Sequence, residues 1–567
     1  MYAPGKLAVA YFSMEVSLDA AMPTYSGGLG VLAGDTLRAA ADLGIPLAGV
    51  TLLHRKGYFR QELDSSGRQS EAPSVWSPEA LLEPTGAQVA VSIEGRQVWV
   101  RAWRYRVQGI SGHSVPVFFL DTALEQNSPW DRTLTDHLYG GDDHYRLCQE
   151  ALLGLGGVAM LRALGYEHLS AYHLNEGHAA LLTLALLEEQ TAGRGLAAAT
   201  GADHEVVRAR CVFTTHTPVP AGHDKFPLEL VRQVLGEERT LALMAGGCCP
   251  NGVLNMTYLA LFFSRYVNGV SMRHEEVSRG MFPSYSINAI TNGVHAATWA
   301  SEPFGRLFDR LIPEWRRDNH YLRYATSIPL EEIQHAHAQA KLALLAEVER
   351  RSAVKLNPAV MTLGFARRAT AYKRADLLFS DLERLRRIAR QAGPLQVVYG
   401  GKAHPRDEGG KEMIRRIFEA ARTLAGALRV VYLEEYDVAL AGYLCSGVDL
   451  WLNTPRKPQE ASGTSGMKAA LNGVPSLSVL DGWWLEGHVE GVTGWAIGED
   501  SGRESDPAQE VASLYNKLEY VILPMFYGRP LAYAGLMRSA ISINASFFNA
   551  QRMMAQYLNN AYTAEPR

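Results

Sequence analysis

The chain has 567 residues, of which 47% are hydrophobic and 20% charged, and its formal net charge is −4. That length is too great for one hydrophobic core and sets an expectation of roughly two to four domains. With no basic excess and no acidic tail, a nucleic-acid-binding chain is excluded, and an anionic substrate needs a local basic pocket.

LAVAYFS, IPLAGVTLL, VWVRAWRY and VPVFFLD read as strands in the first fifth of the chain. ALLGLGGVAMLRAL reads as a core helix, because Arg162 interrupts it and it is too short to span a bilayer. AYHLNEG is a short strand leading into the helix HAALLTLALLEEQ, while CVFTTHTP and SINAITNGVH are strands that end in polar or small residues. A helical bridge, roughly Pro303–Arg351, follows. The pattern then restarts with the strands VMTLGFARRA, LQVVYGG, LRVVYLEE and VDLWLNT, followed by helix-like runs such as GGKEMIRRIFEAARTLAG. The end, SLYNKLEYVILPMF and INASFFNAQRMMAQYLNNAY, reads as helical. This alternation predicts parallel sheets covered by helices. The expected fold class is α/β, with two doubly wound Rossmann-like domains, 1–296 and 297–567, facing a cleft. The terminal helices are expected to pack back on the first domain. Ligands of such sheets sit beyond the carboxyl ends of strands. The unusual residues lie there: Asn175, His178, His216, Asn292, Arg368, Gly401 and Glu460.

Five scattered cysteines (Cys148, Cys211, Cys248, Cys249 and Cys445) include no CxxC pair and point to reduced thiols in a cytoplasmic enzyme. The opening MYAPGKLAVAYFS carries no long apolar leader core, so no secreted or membrane-bound form is expected.

Three motifs carry chemistry. YSGGLGVLAGD, Tyr25–Asp35, places glycines ahead of a helix, where backbone N–H groups can approach an anion; a plain tight turn explains it equally well. Its spacing is not GxGxxG. GFARRATAYKR, Gly364–Arg374, clusters Arg367, Arg368, Lys373 and Arg374 at a strand end, which suits phosphate groups better than a solvated helix face. In EASGTSGMKAALNG, residues 460–473, Glu460, Ser462, Gly463, Thr464, Ser465 and Gly466 can turn hydroxyls and N–H groups toward a ligand. Lys468 is placed on the first turn of the following helix. It either reaches to solvent or serves as an amine nucleophile toward a carbonyl cofactor. Taken singly, His178 and His216 read as core histidines and Asn292-Gly293 as a turn. His335 and His337, two apart on a helix, face different directions and make no metal site. HExxH, P-loop and GxSxG motifs are absent.

Together these pieces resemble the α-glucan phosphorylases, in their short prokaryotic form. YFSMEVSL, GGLG, GYFRQ, LNEGH, TTHTPVPAG, TNGV, RRATAYKR, GGKAHP, LEEYDVALA, EASGTSGMKAALNG and LDGW occur in the family's order over most of the chain. The resemblance implies a glycosyltransferase-B fold, with the glucan on the first domain and pyridoxal 5′-phosphate and phosphate on the second. The implied reaction is reversible phosphorolysis of a terminal α-1,4-linked glucose, giving glucose 1-phosphate with retention. Lys468 falls on the lysine that carries the cofactor, whose phosphate does the proton work. Arg367 matches the residue that neutralises that phosphate, and Thr464, Ser465 and Gly466 match its cradle. Tyr436 matches a residue packed beside the cofactor. Arg368 and Lys373 match the binders of substrate phosphate, helped by the backbone at Gly28 and Leu29. His216, Asn292, Glu460, Ser462 and Gly463 match contacts to the terminal glucose, and Tyr372 and His178 line the same pocket. The implied catalytic set is Lys468, Arg368, Lys373 and His216, with no metal. Homodimers are the assembly such enzymes commonly form.

Some residues depart from the better-known members. The chain is much shorter than the animal and plant enzymes, so their long N-terminal regulatory segment is not expected. Glu176 replaces an aspartate, and GWWLEGH sets two tryptophans where they could stack on sugars or pack in the core. The alternative is a nucleotide-sugar-dependent glucan synthase of the same fold, which needs no cofactor lysine.

Overall fold

The computed structural model describes residues 8–499 and 506–563. Part of the stretch read above for a leader, residues 1–7, lies outside them. The first half of the chain contributes β1 (Val9–Ser13), β2 (Leu47–Leu52), β3 (Arg60–Leu63), β4 (Gln69–Ala72), β5 (Glu83–Ile93), β6 (Arg96–Gln108) and β7 (Ser114–Asp121). It continues with β8 (Ala171–Asn175), β9 (Cys211–Thr214), β10 (Lys225–Pro227), β11 (Val253–Asn255), β12 (Tyr266–Gly269) and β13 (Asn288–Ala289). Nine of these form one sheet in the order β13-β12-β9-β8-β1-β2-β7-β6-β5; β3–β4 and β10–β11 are separate hairpins. Pairing is parallel from β13 to β7 and antiparallel at the β6–β5 edge.

The second half supplies β14 (Met361–Ala366), β15 (Leu395–Gly400), β16 (Arg429–Leu433), β17 (Leu450–Asn453), β18 (Ser476–Val479) and β19 (Gly494–Ile497). They form an all-parallel sheet ordered β16-β15-β14-β17-β18-β19. Counted along the chain, the parallel strands of both sheets therefore run 3-2-1-4-5-6, with a seventh added to the first sheet. The order reverses between β1 and β8 and between β14 and β17, and a crevice opens beyond the strand ends at each such point.

Burial explains why the central strands read as unbroken apolar runs. Every residue of β1, β2, β14, β15, β17 and β18 is buried, as expected where helices cover both faces. The antiparallel edge strand β6 largely alternates buried and more exposed positions instead. Strands β3, β4, β5, β10, β11, β12, β18 and β19 go beyond those read from sequence. ALLGLGGVAMLRAL forms the largely buried second part of a helical segment, Asp143–Ala163, with a π turn at Leu152–Gly156. No helix among the described residues is long and apolar enough to cross a membrane.

INASFFNAQRMMAQYLNNAY is not one continuous helix. It breaks at Asn549, whose backbone bridges to Val294 and whose Oδ1 accepts the Arg552 N–H at 2.8 Å, capping the helix Ala550–Tyr557. An asparagine that satisfies the orphan donors of a new helix start competes with helix continuation. Past the break the chain returns to the first sheet. Ala550, Met553, Met554 and Tyr557 share a buried cluster with Val9, Tyr11, Ala33 and Leu37. Tyr562 Oη lies 2.6 Å from His173 Nδ1, which fastens this end of the chain to β8.

Candidate active site

A cavity of about 1020 Å³ lies between the two sheets and takes its walls from both. It is bounded by residues at or just beyond the ends of β1 (Glu15), β8 (Glu176), β9 (His216) and β14 (Arg367 and Arg368), and by the loop that follows β17. Of the site residues implied by the resemblance, all but Gly466 line this one cavity. Gly466 faces the core: a Cβ there would stand 2.7 Å from the Trp483 ring.

The four clustered cations have different partners. Arg374 is turned away, with Nη1 2.5 Å from Glu510 and Nε donating to the Thr454 carbonyl at 2.9 Å. Arg367 stands 2.5 Å from Glu460 and also donates to the Asn453 side chain. Burial alone would raise the Glu460 carboxyl, but Arg367 and Lys373 outweigh it and hold it below the usual range. Arg368 and Lys373 have no side-chain hydrogen bond or ion pair among the described residues. Arg368 is open to the cavity. The Lys373 ammonium lies 5.2 Å from the Tyr372 ring centroid, and burial with Arg367 nearby pushes it well below the ordinary lysine range. Two such neighbouring cations are costly unless an anion joins them.

The glycine turn faces the same place. Glu15, just after β1, accepts from the backbone N–H of Ser26 at 2.5 Å and Gly27 at 3.2 Å, and from Tyr139 Oη at 2.9 Å. The helix Gly28–Asp42 then begins without a side-chain cap. A Cβ on Gly27 would stand 3.4 Å from Arg368 Cδ, so the helix start and the unpaired guanidinium approach each other.

Lys468 is the fifth residue of the helix Thr464–Leu471, one turn deeper than the first-turn position expected from sequence. It is 6% exposed, and its Nζ lies 3.9 Å from the Trp299 ring centroid. No hydrogen bond or ion pair reaches that nitrogen among the described residues, and burial lowers its proton affinity. Asp35 holds the Trp299 indole N–H at 2.9 and 3.1 Å. Asn472 donates to the carbonyls of Lys468 at 2.9 Å and Trp299 at 2.8 Å, which ties the lysine helix to the aromatic face. A desolvated, unpaired amine is the form that attacks carbonyls.

The opposite wall is polar. Burial drives the His216 imidazole down to about 3, and its Nε2 lies 2.6 Å from Asn175 Oδ1. Glu176 holds the His216 backbone N–H at 2.7 Å and Thr217 Oγ1 at 2.9 Å, from a left-handed φ of 76°. Apart from Glu460 Oε2, which pairs with Arg367, three buried atoms on cavity-lining residues have no hydrogen-bond partner among the described residues: Asn292 Oδ1, Ser462 Oγ and His178 Nδ1. The other His178 nitrogen lies 3.2 Å from Asp224, which also holds Arg146 at 2.9 Å. Tyr436 is packed so close that a Cβ on Gly400 would be 3.2 Å from its ring. Trp483 and Trp484 are buried in the core and do not line the cavity. His337 pairs with Asp449 at 2.9 Å while His335 is exposed, and no metal-ligand cluster occurs among the described residues.

A sequence profile described as Phosphorylase, carbohydrate phosphorylase, matches residues 248–491. The maltodextrin phosphorylase of Thermococcus litoralis is 39% identical, over 98% of this chain and 70% of its own length. This chain belongs to the carbohydrate phosphorylase family. Glycogen phosphorylases of Mycobacterium tuberculosis (35% identical over 98% of this chain and 70% of theirs) and Aquifex aeolicus (34% over 98% and 86%) are also similar to it. The two doubly wound sheets facing a cleft are the glycosyltransferase-B architecture of a carbohydrate phosphorylase.

In this carbohydrate phosphorylase, several residues in or behind the cavity wall were not singled out from sequence. Glu15 follows a strand end, and that position was its only signal; Glu176, noted from sequence only as a departure from an aspartate, holds the His216 backbone. Asp35, Asn472, Arg146 and Asp224 act through other side chains or backbone groups, and nothing in their local sequence marks them.

Proposed function

We propose that this chain catalyses reversible phosphorolysis of the terminal α-1,4-linked glucose of α-glucans (maltodextrin, glycogen or starch) by inorganic phosphate, releasing glucose 1-phosphate with retention. The observation that carries this reading is the pair of unpaired cations, Arg368 and Lys373, in the same cavity as the unpaired buried amine of Lys468. A glycosidase needs two carboxylates free for acid–base work. Here Glu15 is spent on backbone N–H groups, Glu176 on His216 and Glu460 on Arg367. The cavity is therefore suited to an anionic nucleophile rather than to water.

Pyridoxal 5′-phosphate fits the residues present. Lys468 offers an amine that no side chain claims, Tyr436 an aromatic wall, and Thr464 and Ser465 the start of a helix with the close-packed Gly466 behind them. Lys468 would hold it, with Arg367, Thr464, Ser465 and Gly466 around its phosphate. When bound, the cofactor supplies a second phosphate, able to give and take a proton beside the substrate phosphate.

This chain's residues account for the rest. Arg368, Lys373 and the N–H groups at Gly28 and Leu29 bind inorganic phosphate. Asn292, Glu460, Ser462 and Gly463 grip the terminal sugar, with His178 and Tyr372 beside it. His216, neutral, offers its backbone carbonyl to the 6-hydroxyl. The bond from the anomeric carbon to the departing 4-oxygen breaks, that oxygen takes up a proton, and a phosphate oxygen bonds to the anomeric carbon on the same face. The cations stabilise the charge that develops. The same reading divides the chain into residues 1–296 on the sugar side and 297–567 on the cofactor side, in a cytoplasmic enzyme.

Borohydride reduction followed by peptide mass mapping tests the assignment, together with assays of glucose 1-phosphate formation from maltodextrin and inorganic phosphate. A pyridoxyl-phosphate adduct on Lys468 and phosphate-dependent glucose 1-phosphate formation are expected. An unmodified Lys468 in cofactor-supplied protein, with turnover of a nucleotide-glucose instead, would overturn it in favour of the synthase.

A further inference from the structure

Arg552 lies in the last helix of the described chain, far in sequence from every residue assigned above. It is 6% exposed, and no carboxylate pairs with it among the described residues. All of its side-chain bonds go to neutral oxygens. Nε donates to the Phe547 carbonyl at 2.8 Å, Nη1 to the Thr291 carbonyl at 2.6 Å and to Gln556 Oε1 at 2.8 Å, and Nη2 to the Asn292 carbonyl at 2.9 Å. Burying a guanidinium against carbonyls alone is expensive, so this arrangement calls for a reason.

The geometry supplies one. The Thr291 carbonyl belongs to the peptide plane before Asn292, and the Asn292 carbonyl to the plane after it. Fixing the two planes that flank one Cα fixes φ and ψ there, and with them the direction of the Cα–Cβ bond. The same loop is held again from the same segment. Val294 N–H donates to the Phe548 carbonyl at 3.1 Å, and Ala550 N–H to the Val294 carbonyl at 2.8 Å. A Cβ on Gly293 would lie 2.1 Å from the Asn549 carbonyl oxygen, so only glycine allows the two strands of chain to approach this closely. What this clamp aims is Asn292 Oδ1, buried, on the cavity wall and without a partner.

We infer that Arg552 is a positioning residue for sugar recognition: its fork fixes the backbone on both sides of Asn292 so that the amide meets the terminal glucose. Through it the end of the chain, docked on the first sheet, sets the geometry of the substrate site. This rests on the proposed role of Asn292 as a sugar contact. Lysine can reach one carbonyl but cannot present the planar fork that holds both.

The test is a double-mutant cycle on the holoenzyme with Arg552→Lys, Asn292→Ala and the pair, reading kcat/KM for maltodextrin, KM for phosphate, and equilibrium binding of maltodextrin without phosphate. Arg552→Lys is expected to lower kcat/KM for maltodextrin and its binding by about tenfold, while KM for phosphate stays within about twofold. In the Asn292→Ala background it should cost less than about twofold, because the group it positions is gone. An equal loss in both backgrounds, or a matching loss for phosphate, would overturn the inference. If Asn292→Ala leaves maltodextrin binding intact, it is the sugar-contact reading that fails, and the inference with it. Gln556→Leu removes one acceptor from the same guanidinium, and should show a smaller loss with the same selectivity. If Arg552→Lys does not fold, an unselective Gln556→Leu would overturn the inference.

Discussion

The ammonium of Lys468 stands 3.9 Å from the centroid of the Trp299 ring, and no carboxylate reaches it among the described residues. A lysine kept only for packing would be expected to reach solvent or a carboxylate. This one is buried against an aromatic face that Asp35 and Asn472 hold in place. Lys468→Ala is therefore expected to bind no cofactor covalently, to lack its absorbance band, and to fall to background in phosphorolysis. Full activity in the cofactor-free variant would refute the mechanism.

Arg368 carries a different prediction, because its guanidinium faces the cavity with no protein partner. Charge-assisted hydrogen bonds contribute about 1.5–3 kcal/mol, or roughly 10- to 100-fold in affinity. Arg368→Ala should raise KM for phosphate by about that factor and leave maltodextrin binding within about threefold. Initial-rate kinetics with both substrates varied would check this, and an unchanged phosphate dependence would remove Arg368 from the site.

How much of this was legible in the sequence differs between fold and site. Unbroken apolar runs such as MTLGFA and LQVVYG could only be strands covered on both faces, so the double alternation was visible. The strand-end residues His216, Arg368 and Glu460 were visible for the same reason. Asn549 was not, because an asparagine inside a helical pattern shows its capping role only when another segment, here Val294, is there to bridge. Nor was the difference between Arg367, Arg368 and Arg374. Three arginines within eight residues look alike until Glu460 and Glu510 are placed beside two of them.

Lys373 predicts a proton linkage. Burial and Arg367 push its ammonium well below the ordinary lysine range, so the cavity without an anion weakens its hold on the proton. A bound phosphate dianion reverses that balance and raises the proton affinity of Lys373. At a pH where phosphate is already a dianion, binding should therefore take up protons. Titration calorimetry in buffers of differing ionisation enthalpy measures this directly. Lys373→Met is expected to bind phosphate more weakly with little proton uptake, and uptake unchanged in that variant would assign the proton elsewhere.

Trp484 separates the two roles open to the tryptophan pair. It is fully buried, stands 5.2 Å from the Trp483 ring in a tilted contact, and does not line the cavity. Replacing a buried tryptophan by alanine costs about 3–5 kcal/mol through lost burial and the void left behind. Trp484→Ala should lower the denaturation midpoint by a corresponding amount, while KM for maltodextrin in the folded fraction changes by less than about twofold. If the side chain instead stacked on a sugar, the pattern would invert, with maltodextrin binding lost and stability nearly kept. Thermal denaturation and maltodextrin kinetics on one preparation decide between these outcomes, because packing and sugar contact predict opposite orders of effect.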